Sequence, residues 1–435
     1  MLGYQKEQRS LTKEEKEAIG LLSIGTFLEY FDFMLYVHMA VLLNQLFFPE
    51  YDSRTASMLS ASIFCITFVV RPLGALIFGW IGDNIGRKAT VVITTIMMAC
   101  SCVIMAILPT YNQVGVTASC IMVICRIVQG MSSMGEITGA EIYFTETIKP
   151  PLQYVVVSIL AFLAALGGVT ALGIASFSTV EGFNWRYAFG IGAVIALVGG
   201  VARTRLRETP EFADAKRRVQ SILEQFGKNP KLVNNNYIVK EKVNKKTILA
   251  LLLINCGWPV CFYIAFIHCG NILQNSFGYT PDQVIHNNFF VGLVEMLGIL
   301  PLIYLGYYIS PLLILKIRLI IYSIFILACP YLLNNISTPS GIFYFQCFAM
   351  FFVLDTTPAK SIFYQYIPIF KRFTYTCFTI AISRAITYVI TSFGIIYLVK
   401  YFNNFGLLII MIPIALGTAF AINHFETLGK KTNNY

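Results

Sequence analysis

The chain has 435 residues, 57% of them hydrophobic and 12% charged, with a mean hydropathy of +0.68. Soluble domains carry about twice that share of charge, so a soluble globular fold is excluded. The missing alternation in segments of ~10 residues excludes a transmembrane barrel. A formal charge of +10 raises nucleic acid as a partner, and the placement of the bases along the chain argues against it.

The N-terminal stretch Met1 to Glu17 is polar. No small-residue cleavage site follows the first apolar run, so that run is expected to be retained as a span rather than removed as a signal. Apolar runs lie near 20–47, 56–81, 89–108, 114–144, 152–178 and 186–203, and again near 247–275, 285–308, 312–333, 341–366, 373–400 and 404–424. Each reaches the roughly 20 residues that cross a bilayer. The expectation is an all-α integral membrane protein of twelve transmembrane helices in two six-helix bundles, residues 1–203 and 247–435. A linker, 204–246, joins them.

With the N-terminus assigned to the cytoplasm, the inside segments hold 25 of the 32 Lys and Arg residues, twelve of them between Arg203 and Lys246. The outside loops hold Arg54, Arg186 and Lys400. This bias places both termini in the cytoplasm, and the net positive charge reads as topology, with the lipid bilayer and not nucleic acid as the surrounding partner. The linker carries Phe212, Val219, Ile222, Leu223 and Phe226 at helical spacing, with Lys216, Arg217 and Arg218 between them. A helix lying on the inner leaflet and a solvated linker helix both fit. Residues 228–246, rich in Asn and Lys, read as flexible linker. The eleven cysteines fall almost entirely inside apolar runs, with no Cys-x-x-Cys pair, which is the pattern of small buried side chains rather than of a metal site. No Gly-x-x-x-x-Gly-Lys-Ser/Thr motif is present, and neither a cofactor nor direct nucleotide drive is expected.

One polar hairpin between apolar runs has a fixed pattern: Gly79-Trp80-Ile81-Gly82-Asp83-Asn84-Ile85-Gly86-Arg87-Lys88. Gly86 can take the positive φ of a tight turn, Asp83 can sit against a helix N-terminus, and Arg87 with Lys88 fixes the turn on the basic side. The motif resembles the signature loop of the major facilitator superfamily, and Arg126-Ile127-Val128-Gln129-Gly130 in span four resembles its Arg-x-x-x-Gly signature. Four further features resemble the metabolite:proton symporter family, which includes proline/betaine transporters. They are Phe27-Leu28-Glu29-Tyr30-Phe31-Asp32-Phe33, Arg71-Pro72-Leu73-Gly74, Gly135-Glu136, and Glu208-Thr209-Pro210-Glu211-Phe212. The resemblance implies the major facilitator fold, a bacterial cytoplasmic (inner) membrane, and proton-coupled uptake of a small zwitterion or organic acid. It is carried by the N-terminal half. In the second half the counterpart loop, Gly306-Tyr307-Tyr308-Ile309-Ser310-Pro311, has Ser310 in place of the acid.

Ionisable residues inside the apolar runs each cost at least ~2.5 kcal/mol to insert, so they mark function by default. Glu29, Asp32 and Tyr36 share one face of span one, and Arg126 lies at matched depth in span four; Asp32, with Glu29, is the expected proton site and Arg126 its partner. Tyr36, Gln129, Asn255, Asn271, Glu295, Asp355, Lys360 and Arg384 are the substrate-cavity candidates. Arg71, Gly79, Asp83, Gly86, Arg87, Lys88, Glu136 and Glu146 are the gate candidates, with Glu136 read either as partner of Arg71 or as part of the inner gate. Glu141 and Glu146 are placed near the inner mouth, within reach of Arg87. Trp258-Pro259 predicts a kink in span seven, and His268 a hydrogen-bonded packing residue.

The expected activity is secondary active transport by alternating access, coupling a small-molecule substrate to a proton. Exchange or uniport without a proton, and a transporter-derived sensor or scaffold, stay open. An enzyme is not expected, since no His cluster or Ser/Cys–His pairing stands at the bilayer edge.

Overall fold

The computed structural model describes residues 7–48, 66–177, 184–204, 206–225 and 242–432. The expected outer part of span two (56–65), Arg54, Cys65 and most of the Asn/Lys-rich linker lie outside these residues. Among the described residues the chain is helical throughout, with one isolated bridge pairing Gln8 and Pro151.

The spans of the first half are Lys13–Phe47 (one), Arg71–Asn84 (two), Arg87–Ile107 (three), Val116–Thr147 (four), Leu152–Phe177 (five) and Trp185–Arg203 (six). A linker helix follows at Pro210–Gln225. Span seven runs over Lys245–Phe277, span eight over Pro281–Tyr308 and span nine over Pro311–Asn335. Span ten is split into Pro339–Phe351 and Lys360–Gln365. Span eleven, Ile369–Val389, continues through a π turn, Ile390–Gly394, into Ile395–Phe402, and span twelve is Leu407–Thr432.

Local signals set the ends. Spans eight, nine and ten each begin with a proline in the first turn, where its missing N–H costs nothing. Thr280 and Gln283 form a reciprocal capping box at the start of span eight, which satisfies two free donors. Span seven stops at Gly278, whose φ of 70° suits a residue without Cβ.

Two boundaries differ from expectation in ways that matter, and the kink expected in span seven is present. The Gly79–Lys88 segment is not a loop: span two continues through Asn84, span three starts at Arg87, and Ile85-Gly86 alone make the turn. Span seven breaks at Asn255-Cys256, just ahead of Trp258-Pro259, because Pro259 cannot donate back to the carbonyl one turn earlier. Span ten opens between Phe351 and Lys360, where Pro358 disfavours helix for itself and its predecessor. Asp355 therefore lies on unwound backbone and not in mid-helix; its carboxylate accepts from the Thr357 N–H at 3.3 Å.

In the first half span one packs on five, three on four and six, and two on four; in the second, seven packs on eleven and twelve, and eight on ten. The halves meet where span five lies along eight and span two along eleven. Large apolar side chains point outward all round, among them Leu73, Ile96, Leu197, Ile324, Leu327 and Leu416. A water-soluble surface does not carry such a girdle; lipid accepts it.

Candidate functional site

Four layers follow one another from the face that carries the chain ends towards the distal face. The first, termed the latch, is a set of contacts that joins the two halves. Asp83, from the end of span two, accepts from the backbone N–H groups of Phe373 (3.0 Å) and Thr374 (2.8 Å) near the start of span eleven. A carboxylate there meets the positive end of the helix dipole. Arg87 donates to Asp83 (3.4 Å), to the Gly82 carbonyl (2.6 Å), to both carboxylate oxygens of Glu146 (3.2 and 2.9 Å) and to the Ile369 carbonyl (2.7 Å). Arg372 of span eleven donates to Glu146 and to Glu211 of the linker helix, each at 3.1 Å. Span two can come this close because it carries Gly79 and Gly82: a Cβ on Gly79 would stand 2.7 Å from the Thr374 Cα, and one on Gly82 2.6 Å from the Phe373 ring.

The start of the linker, Glu208 to Phe212, belongs to the latch, whereas the side chains of Val219, Ile222, Leu223 and Phe226 lie outside the described residues. Glu208 accepts from the N–H groups of Arg87 (3.0 Å) and Lys88 (3.4 Å), so it caps span three. The Thr209 hydroxyl donates to Glu146 (2.7 Å), and the buried Phe212 ring lies 4.2 Å beneath the Arg87 guanidinium. Gly86 joins the two helices at φ 158°, ψ 156°, a region essentially confined to glycine, with the Glu208 carboxylate where a Cβ would go. Gly86→Ala is expected to lower the melting temperature of the detergent-solubilised protein, by a strain of about 1–3 kcal/mol; a midpoint equal to wild type is the opposing result.

The second layer is the ion pair of Lys360 with Glu141 (2.7 Å), to which the Tyr364 hydroxyl also donates (2.6 Å). Glu141 thus meets span ten and not Arg87.

The third layer is a central cavity between the halves. Its charged lining among the described residues is Glu29, Glu141, Glu295, Asp355, Arg318, Lys360 and Arg384. The cavity measures about 90 Å³; at ~10–15 Å³ per water it has room for one small solute. Glu295 accepts from the Trp258 indole N–H (3.0 Å) and Arg384 donates to the Tyr30 hydroxyl (3.4 Å). Arg71 stands 4.0 Å from Glu29, and Glu29 Oε2 and Arg71 Nη1 are buried without hydrogen-bond partners.

The fourth layer is aromatic. Phe68 lies 4.2 Å from Tyr388 and Phe33 lies 5.9 Å from Phe262, centroid to centroid, each pair joining one half to the other.

Away from all four layers, inside the first half, Asp32 pairs with Arg126 at 3.1 Å. Gln129 bridges them, donating to Asp32 (2.9 Å) and accepting from Arg126 (2.8 Å). The Tyr36 ring lies 3.8 Å from the Arg126 guanidinium, and the Cys102 thiol points at Asp32 (3.8 Å). Asp32 and Arg126 are both buried and neither lines the cavity.

A sequence profile of the Major Facilitator Superfamily matches residues 22–354. The chain belongs to the major facilitator superfamily. It is 29% identical over 276 residues, 62% of its length, to the proline/betaine transporter of Escherichia coli K12, of which that match covers 55%. It is 34% identical over 230 residues to the inner membrane metabolite transport protein YhjE of the same organism, covering 50% of this chain and 52% of YhjE. The chain spans about half the length of these relatives, which are named as transporters and not as enzymes. The proton:xylose symporter XylE superposes with a TM-score of 0.72 over 94% of this chain and 95% of its own, at 16% identity, a likeness of fold.

Within this superfamily fold the cavity candidates Asn255, Glu295, Asp355, Lys360 and Arg384 do converge. Tyr36 and Gln129 do not; they complete the Asp32–Arg126 cluster. Asn271 is exposed towards the distal end of span seven. Glu136 neither meets Arg71 nor enters the latch: Arg203 of span six holds it, together with Thr95 and the carbonyls of Leu21 and Leu22. Arg71 lies beside the cavity rather than in the gate. Glu29 and Asp32 part company because three residues, about 4.5 Å along the axis, bring different neighbours, span two for one and span four for the other. His268 bonds Asn404 at 3.3 Å. Sequence reasoning missed Arg203, Arg318 and Arg372, counted as loop bases, and the latch role of Glu208 to Phe212.

Proposed function

We propose that the protein is a secondary active transporter that couples uptake of a small zwitterion or carboxylate to proton entry by alternating access. The observation that carries this reading is the separation of two charged centres: a buried Asp32–Arg126 pair inside the first half, and a cavity lined by acids and bases of both halves. A proton arriving on Asp32 removes the counter-charge of Arg126, and a buried guanidinium left unpaired is costly; its rearrangement moves spans one and four, which also line the cavity. The bundles 1–203 and 247–435 then rock about the midplane site, with the Asp83–Arg87–Glu146 latch closing the face that holds the termini and the linker 204–246. The 25-to-3 bias of bases supports a cytoplasmic assignment for that face, and the names of the bacterial relatives support the inner membrane and a proline- or betaine-like solute.

Uptake of radiolabelled glycine betaine, proline and 2-oxoglutarate into proteoliposomes, with and without an inward proton gradient, tests the reading. Gradient-dependent accumulation of one of them is the expected outcome. Accumulation indifferent to the gradient would favour exchange or uniport, and no uptake of any would remove transport of this substrate class.

A further inference from the structure

Between cavity and latch lies an ion pair that the transport reading leaves without a task. Lys360 Nζ stands 2.7 Å from Glu141 Oε1, and the Tyr364 hydroxyl holds the other oxygen at 2.6 Å. Glu141 belongs to span four of the first half; Lys360 and Tyr364 belong to the second segment of span ten. The contact therefore ties the halves together. It is also reachable from the cavity, which both residues line: the Lys360 side chain keeps 18% of its surface accessible against 5% for Glu141. Along span four Glu141 is five residues, about 7.5 Å, from Glu146 of the latch.

We propose that Lys360 receives the substrate carboxylate, and that it does so by releasing Glu141. The proposal deepens the transport reading and rests on it. An ammonium that exchanges an internal carboxylate for an external one stays paired, and the released Glu141 keeps the Tyr364 hydroxyl at 2.6 Å, which offsets part of the cost of a buried carboxylate without its cation. What changes is the tie: Glu141 loses its partner in span ten, and one contact holding the halves together opens when substrate is present. The recess formed by Glu29 with the rings of Tyr30 and Trp258 is already filled by the chain's own cations, Arg71 and Arg384: Arg384 stands 5.9 Å from the Trp258 ring and donates to the Tyr30 hydroxyl at 3.4 Å, so the group to be recognised at Lys360 is the carboxylate. The substrate class is thus a small solute with a carboxylate, and a cation without one does not drive the exchange.

A purely structural tie and a ligand exchange make different predictions. If the pair only held the halves, Lys360→Gln and Glu141→Gln would break the same contact and act alike. Under exchange their effects have opposite signs: the first removes the receiver and the second frees it. The experiment is equilibrium binding of labelled glycine betaine, proline and 2-oxoglutarate, with choline as the carboxylate-free control, to the purified full-length chain. For whichever carboxylate the wild type binds, Lys360→Gln is expected to weaken binding about tenfold or more, the loss of one charge-assisted hydrogen bond. Lys360→Arg should retain most of the affinity, Glu141→Gln should tighten binding several-fold, and choline should respond to none of them. If Lys360→Gln aggregates, retention by Lys360→Arg with tightening by Glu141→Gln carries the same decision. Shifts of one sign in both glutamine variants, or no shift in either, overturn the exchange while leaving transport intact. A wild type that binds none of the three carboxylates overturns both readings.

Discussion

Asp32→Asn is expected to abolish accumulation against a gradient while sparing exchange of substrate across the membrane. One proton moved per substrate lets a gradient of one pH unit support about tenfold accumulation, about 1.4 kcal/mol; the variant should read no accumulation. The asparagine keeps the shape of the side chain and an oxygen for Arg126, and Arg126 retains the Gln129 carbonyl at 2.8 Å and the Tyr36 ring at 3.8 Å. What it lacks is a second protonation state. Asp32 does not line the cavity, so KM in counterflow should stay near wild type, and the pH dependence of uptake should flatten. Asp32→Glu, which can still titrate, should recover part of the coupling. Vesicle uptake under an imposed pH gradient, measured beside counterflow, reads both quantities. Accumulation by Asp32→Asn equal to wild type would move the proton site elsewhere, with Glu29 the next carboxylate to test.

The Asp32–Arg126 pair was legible in the sequence for a simple reason. A charge in the middle of an apolar run has nowhere to go but a partner, and depth along two spans can be counted at 1.5 Å per residue. The same logic fails at span ends. Arg203, Arg318 and Arg372 sit where a base usually meets lipid headgroups, so each reads as a topology marker; in the fold each turns inward, to Glu136, to the cavity and to Glu146. Glu136 was then left without its true partner, because Arg203 lies 67 residues away on a helix whose rotation no local pattern fixes. The break in span ten had a visible signal, Pro358, overridden by the apolar character of the segment around it. The sequence motif Glu208 to Phe212 was recognisable as a pattern, but its task depends on Gly86: without that turn's missing side chain the Glu208 carboxylate has no place to cap span three.

The second large effect is expected at the latch, from Asp83→Asn. Asp83 accepts two backbone N–H groups at the start of span eleven with two oxygens, whereas an asparagine offers one acceptor and turns an NH2 towards the second N–H. Losing a charge-assisted hydrogen bond costs about 1.5–3 kcal/mol, which shifts a closed-to-open equilibrium roughly 10- to 150-fold. Cys377 reports on that equilibrium: it is fully buried on span eleven, one turn beyond Phe373, with its thiol 3.3 Å from the Met134 carbonyl of span four. Parting the halves at this face separates those two spans and exposes the sulfur. In a background with the other cysteines replaced, maleimide labelling of Cys377 from the terminal face should accelerate about 10-fold or more in Asp83→Asn. Arg87→Gln should do the same and also lower thermal stability, by about 1.5–3 kcal/mol, because Glu146 loses its two-pronged partner and keeps only Arg372 at 3.1 Å and the Thr209 hydroxyl at 2.7 Å. An unchanged labelling rate in Asp83→Asn would mean that the close packing of Gly79 and Gly82 on span eleven, and not the carboxylate, keeps this face shut.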